Sequence, residues 1–256
     1  MSLERILGEG KMGRKVLSFG DAHGEYVDDK AYNLMLRYAK KWKPDEIIIN
    51  GDMVDFYALS KFDKNPERRT TTQQEIYMAQ ELLGKVRSAA PTAKIVYLKG
   101  NHEDRLQKFL WRNPELHGMD ALDLKELLGL KELGIKYVDA TTDYWKATSG
   151  HYKIGDLLVM HGDNRLNGAS TSRYAGYSAK NTMNTLQHSV LLGHTHRAAI
   201  VYQTNPSGIM VGIEGGCLCQ KTGTANWQQG FVTFEVDKGR TYKHKFHLID
   251  KGKLIS

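Results

Sequence analysis

Short apolar runs, each followed closely by a glycine, punctuate the first hundred residues. Residues 15–19 (KVLSF), 45–50 (DEIIIN) and 94–98 (KIVYL) are rich in β-branched and large apolar side chains. Runs of this length and composition predict buried strands.

Two longer segments lie between these runs. Residues 29–41 form an amphipathic pattern that Pro44 ends, because proline cannot continue a helix interior. Residues 71–89 begin with threonines and end before Pro91, which predicts a second helix. Alternating strands and helices indicate an α/β region whose functional loops follow the strands.

The pattern changes after residue 100. Residues 103–135 are helical in pattern, which predicts either ordinary flanking helices or a small helical cap around 104–133. From Tyr144 onward the chain is rich in strand-like runs. We therefore expect residues 1–256 to form a single domain of mixed α/β class, a β-sandwich of two sheets flanked by helices.

Composition and charge narrow the setting of the protein. The formal net charge of +7 favours anionic partners such as nucleotides or nucleic acid. The apolar runs are too short to cross a bilayer, and the N-terminus lacks the apolar stretch of a secretory signal. Cys217 and Cys219 are one residue apart in a strand-like segment, so we expect their thiols on opposite faces and no disulfide. A reduced, cytoplasmic setting is the corresponding expectation.

Five polar blocks follow strand-like runs, and each joins glycine to carboxylate, imidazole or amide side chains. Glycine there permits close approach of the backbone. One Asp-x-His or His-x-His block alone would favour a structural role, but five in this order favour a shared ligand. The blocks are Gly20-Asp21-Ala22-His23-Gly24, Gly51-Asp52-Met53-Val54-Asp55, Gly100-Asn101-His102-Glu103, His161-Gly162-Asp163 and Gly193-His194-Thr195-His196.

The donor atoms in these blocks predict a metal site. Imidazole, carboxylate and one amide oxygen, without thiolates, suit divalent manganese, iron, zinc, cobalt or nickel. The set has too many imidazoles for calcium or magnesium and too many ligands for one tetrahedral zinc. We therefore expect two ions that share a bridging carboxylate, with manganese as the first choice.

At these residues the sequence resembles the calcineurin-like metallophosphoesterase superfamily. The shared pattern is D-x-H, G-D-x-x-D, G-N-H-[D/E], a later His and G-H-x-H, and it spans residues 21–196. The resemblance implies a four-layer αββα sandwich that hydrolyses phosphate esters. It also implies two ligand groups joined by Asp52: Asp21, His23 and His196 on one ion, and Asn101, His161 and His194 on the other.

The same resemblance implies how protons move. His102 would contact the scissile phosphate and protonate the leaving oxygen, and Asp55 would orient its imidazole. The implied nucleophile is a metal-bridging hydroxide, because two cations lower the pKa of a shared water.

Substrate choice is left to the loops, because superfamily members with different substrates share the metal blocks. Protein serine/threonine phosphatases of the superfamily have an arginine directly after the second Asp of G-D-x-x-D. This chain has Phe56 there, followed by Tyr57. We predict that Phe56, Tyr57, Arg165 and Arg173 contact substrate, the alternatives being a packed turn and helix caps.

Three functions stay open. The basic charge and the aromatic loop slightly favour a phosphodiesterase acting on nucleotides or nucleic acid. A phosphomonoesterase, including a protein phosphatase, is the alternative within enzymes. A catalytically silent nucleic-acid-binding subunit is the alternative outside them. We expect a phosphoester substrate and no membrane partner, and a homodimer is compatible with the resemblance.

Overall fold

The structure is a computed structural model that describes residues 13–140, 150–163, 171–221, 225–237 and 240–255. Its strands are β1 Arg14–Phe19, β2 Glu46–Ile49, β3 Lys94–Leu98, β4 Ile135–Val138, β5 His151–Ile154, β6 Leu157–Met160, β7 Ser189–Leu192, β8 Ala198–Asn205, β9 Gly208–Gly215, β10 Gln229–Asp237, β11 Arg240–Asp250 and β12 Lys253–Leu254. The α-helices of the described residues are α1 Asp29–Trp42, α2 Thr72–Ala89, α3 Asp104–Arg112, α4 Leu124–Leu127 and α5 Tyr177–Leu186.

The strands form two sheets, each with a parallel centre. The first sheet has the order β12-β11-β10-β1-β2-β3-β4, and the second has the order β5-β6-β7-β9-β8. Strands β1 to β4 are mutually parallel, as are β6, β7 and β9. Because parallel strands end at the same edge of a sheet, the loops after β1, β2 and β3 lie side by side, as do those after β6 and β7.

Side-chain alternation along the strands separates two apolar layers. Val16 and Ile48 lie between the sheets, together with Val159 of the second sheet. Leu17 and Ile47 point the other way and pack under α1 and α2. A third cluster joins the outer face of the second sheet to α5. The resulting order of helices, sheet, sheet and helix confirms the predicted αββα sandwich.

The two helices predicted between the first strands are confirmed, and local hydrogen bonds explain where they begin. The carboxylate of Asp28 accepts a hydrogen bond from the backbone N–H of Ala31 at the start of α1. Thr71 and Gln74 form a reciprocal capping box at the start of α2.

The helical pattern over residues 103–135 becomes α-helix only in part. Helix α3 ends at Arg112 because the next residues are Asn113 and Pro114, and short 3-10 turns follow before α4. This segment packs on the helical side of the first sheet through Leu106 and Leu128. Helix α5 was not anticipated from the pattern, although a crossover between the parallel strands β6 and β7 requires a connection of this kind. Among the described residues, no helix is long and apolar enough to cross a membrane.

A buried histidine in the first sheet couples folding to pH. His247 on β11 is only 2% exposed and stacks on Phe231, with the ring centroids 4.6 Å apart. Its Nε2 lies 2.8 Å from the hydroxyl oxygen of Thr233. Burial, helped by the nearby charge of Lys245, lowers the pKa of His247 from 6.5 to about 4.

We therefore predict that part of the stability is lost as pH falls from 6.5 to about 4, because only the unfolded chain binds the His247 proton in that range. The contribution is about 1–2 kcal/mol once partial solvent screening is allowed for. His247→Gln should flatten this part of the curve of unfolding free energy against pH, measured by denaturant titration. Parallel curves for the variant and the parent between pH 4 and 6.5 would contradict the prediction.

Candidate metal centre

The ends of five strands converge at one place, and the structure brings all seven predicted ligands together there. The loops after β1 and β2 are joined by backbone hydrogen bonds from Asp21 N to Gly51 O (3.0 Å) and from His23 N to Asp52 O (2.9 Å). The second sheet is joined to the first because the carboxylate of Asp21 accepts a hydrogen bond from His194 N (3.1 Å). The two sheets therefore meet at the site itself.

One donor group consists of Asp21, His23 and His196. The Nε2 atoms of the two histidines are 3.0 Å apart, and His196 Nε2 lies 3.3 Å from Asp21 Oδ1. All three side chains are buried or nearly so. One carboxylate and two imidazoles therefore face a common point.

A second donor group consists of Asn101, His161 and His194. The amide oxygen of Asn101 lies 2.9 Å from His161 Nε2 and 2.6 Å from His194 Nδ1. The other ring nitrogen of His161 lies 2.8 Å from the carbonyl oxygen of Asn50. That contact fixes which nitrogen of His161 faces the group.

Asp52 lies between the two groups. Its Oδ2 is 3.3 Å from His161 Nε2 on one side and 3.8 Å from His23 Nε2 on the other. Burial raises the pKa of Asp52, but the neighbouring His161 and His102 lower it more, so the carboxylate stays ionised. Asp52 is thus placed to serve both groups.

The spacing and chemistry of these atoms fit divalent metal ions. Adjacent ligands at about 2.0–2.2 Å from one ion are roughly 3 Å apart when they subtend a right angle. Four separations within the groups, from 2.6 to 3.3 Å, are close to that value, whereas Asp21 Oδ1 and His23 Nε2 are 4.0 Å apart. Carboxylate, imidazole and amide oxygen or nitrogen atoms are donors that divalent metal ions bind in proteins.

His102 stands beside the donor groups and is held by Asp55. Its Nδ1 lies 2.6 Å from Asp55 Oδ1, and its Nε2 lies 3.8 Å from Asp52 Oδ2. Burial lowers the pKa of His102, but the Asp52 and Asp55 carboxylates raise it further, so the net shift is upward. Because Asp55 occupies Nδ1, the ring presents Nε2 to the site.

Glu103 organises the two loops that carry Asp52 and Asn101. Its Oε2 accepts hydrogen bonds from Asp52 N (2.9 Å) and Gly100 N (2.7 Å), and its Oε1 accepts from Met53 N (2.8 Å) and from the Tyr97 hydroxyl (2.6 Å). From the sequence, Glu103 was identified only as the last residue of the third polar block. The structure shows it as a buried support for the ligands.

The site is built on strained backbone. Asp21, His23, Asp52, His194 and His196 all have a φ between +53° and +64°, which residues other than glycine rarely adopt. Such strain is typical of functional sites, where surrounding structure holds it in place. Gly51 has a φ of +84°, and a Cβ there would lie 2.6 Å from His161 Nδ1, so only glycine fits.

The residues predicted to contact substrate are dispersed. Phe56 is fully buried in the core, and its ring does not line the site. Tyr57 is half-buried beside the site and stacks on Arg68. Arg173 is exposed and lies over Tyr174, with no contact to the ligands in the described part of the chain. Arg165 lies outside the described residues.

Two arginines that the sequence reasoning missed surround Asp55. Arg68 Nη2 donates to Asp55 Oδ2 (2.6 Å), and Arg105 Nη1 donates to the Asp55 carbonyl oxygen (2.6 Å). Burial raises the pKa of Asp55, but His102, His23 and Arg68 together hold it well below its usual range. Arg105 lies two residues after the end of the third block, and this proximity could have drawn attention to it. Arg68 had no such signal.

The expectation that the two thiols point to opposite faces is wrong. The thiols of Cys217 and Cys219 and a ring nitrogen of His196 all lie within 4.8 Å of one another. The reason is that β9 ends at Gly215 and that Gly216, with a φ of +71°, turns the chain out of extended geometry. Cys219 Sγ lies 3.8 Å from His196 Nδ1, behind the ring nitrogen that faces the donor group.

The fold and the donor groups define a metal-dependent phosphoesterase, a hydrolase that acts on phosphoester bonds. The family model for calcineurin-like phosphoesterases matches residues 14–208, and the chain belongs to that family. The resemblance inferred from the five blocks is confirmed.

The chain is also similar to individual relatives and to solved structures. The gene 54 protein of Mycobacterium phage L5 is 25% identical over 244 residues, covering 88% of this chain and 90% of the relative. The gene 54 protein of Mycobacterium phage D29 is 26% identical over 247 residues, with the same coverage. A metallophosphoesterase from Sphaerobacter thermophilus has a TM-score of 0.48 and 17% identity, covering 93% of this chain and 89% of that one.

We predict that Glu103→Ala destabilises the metal-free protein by about 3–5 kcal/mol, because buried N–H groups lose their acceptor. Tyr97→Phe is the matched control, since it removes one hydrogen bond to the same carboxylate and should cost about 1 kcal/mol. Denaturant unfolding measures both. Equal losses in the two variants would contradict the role given to Glu103.

Proposed function

We propose that the protein is a dinuclear metal-dependent phosphodiesterase acting on nucleotides or nucleic acid, with His102 as general acid. The observation that carries the proposal is the position of Asp52 between two complete donor groups, with His102 directly beside them. The family acts on phosphoesters, and this arrangement supports the same chemistry here.

The donor groups would hold two ions, of which manganese is the first choice and iron, zinc, nickel and cobalt are alternatives. Asp21, His23 and His196 would bind one, Asn101, His161 and His194 the other, and Asp52 both. When bound, the ions supply water activation and neutralise phosphate charge. Proton transfer and its orientation are assigned to side chains of the protein.

His102 would donate the proton of Nε2 to the leaving oxygen. Asp55 holds Nδ1 at 2.6 Å and so keeps the ring in one orientation, while stabilising the protonated imidazole. Asp52 Oδ2 lies 3.8 Å from Nε2, and this short distance supports a general acid beside a phosphate bound at the donor groups. Asp55 therefore acts as a positioning residue.

The preference for diesters rests on charge and on aromatic side chains near the ligands. The net charge of +7 favours polyanions. The half-buried ring of Trp227 contacts His196, with the centroids 4.3 Å apart, and Tyr26, 39% exposed, lies three residues after His23. Exposed aromatic faces beside a phosphate site can stack on bases.

We predict that purified protein binds two divalent ions per chain and that Asp52→Asn reduces this to about one or fewer, because the shared ligand is lost. The measurement is metal content by elemental analysis after dialysis. Glu81→Gln, an exposed carboxylate on α2, is the control and should keep the full content. A single ion in the parent protein would exclude the dinuclear proposal.

We predict that metal-loaded protein hydrolyses bis(4-nitrophenyl) phosphate faster than 4-nitrophenyl phosphate. His102→Gln should reduce kcat by about 10²–10⁴-fold for a dinucleotide, whose alkoxide leaving group needs a proton. The loss should be much smaller for nitrophenyl esters, whose leaving group departs without one.

The exposed residue His188 offers a matched control, because His188→Gln changes a histidine away from the site. Faster monoester turnover would favour the phosphomonoesterase alternative. Nucleic-acid binding without turnover of either ester would favour the catalytically silent subunit.

A further inference from the structure

Arg105 places a guanidinium group directly at the atom that His102 presents to the site. Its Nη2 lies 3.2 Å from His102 Nε2, and its Nη1 donates to the carbonyl oxygen of Asp55 at 2.6 Å. The residue belongs to the first turn of α3, and its backbone N–H donates to His102 O at 3.0 Å. Arg105 is therefore fixed beside His102 by its main-chain hydrogen bond and by the hydrogen bond of its side chain to the Asp55 carbonyl oxygen.

The guanidinium group of the neighbouring Arg68 is held by side chains of the protein itself. Arg68 forms ion pairs with Asp55, Glu25 and Glu75, and its guanidinium carbon lies 3.9 Å from the ring centroid of Tyr57. Its side chain is only 12% exposed. Three carboxylates and an aromatic face leave Arg68 as a structural support for Asp55.

Arg105 has a different set of partners. The only carboxylate paired with it among the described residues is that of Asp55, at 3.4 Å, which already bonds to His102 and Arg68. In the part of the chain that the structure describes, its Nη2 group contacts the imidazole nitrogen of His102, and 20% of the side chain is exposed. A guanidinium group in this situation retains donor capacity for an anionic oxygen.

The short distance between Arg105 and His102 means that a substrate oxygen bound by one side chain also reaches the other. His102 Nδ1 is occupied by Asp55, so an incoming phosphoryl group meets the Nε2 side of the ring. An oxygen that reaches Nε2 also reaches Nη2, because the two nitrogens are only 3.2 Å apart. The residue directly after Asp55 is Phe56, which is buried in the core and supplies no cation to the site.

We propose that Arg105 is a substrate-contacting residue that binds a non-bridging oxygen of the phosphoryl group beside His102. This inference rests on the proposed function, since it assigns a residue to the same site. The planar fork of arginine spans the Asp55 carbonyl and the His102 ring together, which the single ammonium of lysine cannot do.

The experiment measures binding of inorganic phosphate to metal-loaded protein by calorimetry, together with kcat and KM for the diester. Arg105→Gln should weaken phosphate binding about 10–100-fold and raise KM similarly, and Arg105→Lys should recover only part of the loss. Arg112→Gln is the matched control, because it removes an exposed arginine from the same helix. It should behave as the parent protein.

Metal content and thermal unfolding accompany each variant, so that a change in binding is separated from loss of the site. Unchanged phosphate affinity in Arg105→Gln, or no phosphate binding by the parent protein, would overturn the inference. Arg105-dependent phosphate binding without turnover of any ester would support it while removing the proposed function. Turnover with no dependence of affinity on Arg105 would do the reverse.

Discussion

The loops that end β2 and β3 can lie against each other because a single buried carboxylate accepts hydrogen bonds from both. Glu103 bonds to the backbone N–H groups of residues 52–54 and of Gly100, and to the hydroxyl of Tyr97. Burial and the nearby charge of Asp52 raise the pKa of Glu103, so holding a second negative charge here has a cost. The five hydrogen bonds offset that cost by directing N–H and O–H dipoles at the carboxylate. Every feature that depends on the position of Asp52 relative to Asn101 therefore depends on Glu103.

The ligands also require backbone conformations that residues other than glycine disfavour. Five of the seven predicted ligands have left-handed φ values, each costing of order 1–3 kcal/mol. The compensation comes from outside the loops, in the apolar layers on both sides of the first sheet. A stable sandwich therefore carries the strain of a site that joins its two sheets. The hydrogen bond from His194 N to the carboxylate of Asp21 is part of this junction between the sheets, and it joins residues 173 positions apart in the chain.

The parts of the site that follow strand ends were predictable, because an apolar run, a glycine and a polar block form a local pattern. Asp52, Asn101 and His161 were found in this way, and the structure brings them together. Side chains that support the site from elsewhere left no such pattern. Arg68 lies 13 residues beyond Asp55 in an irregular segment, and only folding of that segment brings its guanidinium back to the carboxylate. The same limit of sequence-based prediction applies to the two aromatic residues after Asp55. The ring of Phe56 is buried in the core, whereas Tyr57 is half-buried.

The sequence alone determined most of the strands, the first two helices, the family and the polar side chains that converge at the strand ends. Each of these depends on residues that are close together along the chain, where periodicity and motif spacing carry the information. The tertiary structure alone decided which groups surround those ligands. It directed Glu103 to two backbone loops, Arg105 to His102 Nε2, and the thiol of Cys219 to the far side of His196. The contacts of Glu103 with Asp52 and of Cys219 with His196 join residues 51 and 23 positions apart in the chain, so no local pattern specifies them. Arg105 is close to His102 in sequence, but its side chain is held there by the carbonyl oxygen of Asp55, 50 positions away.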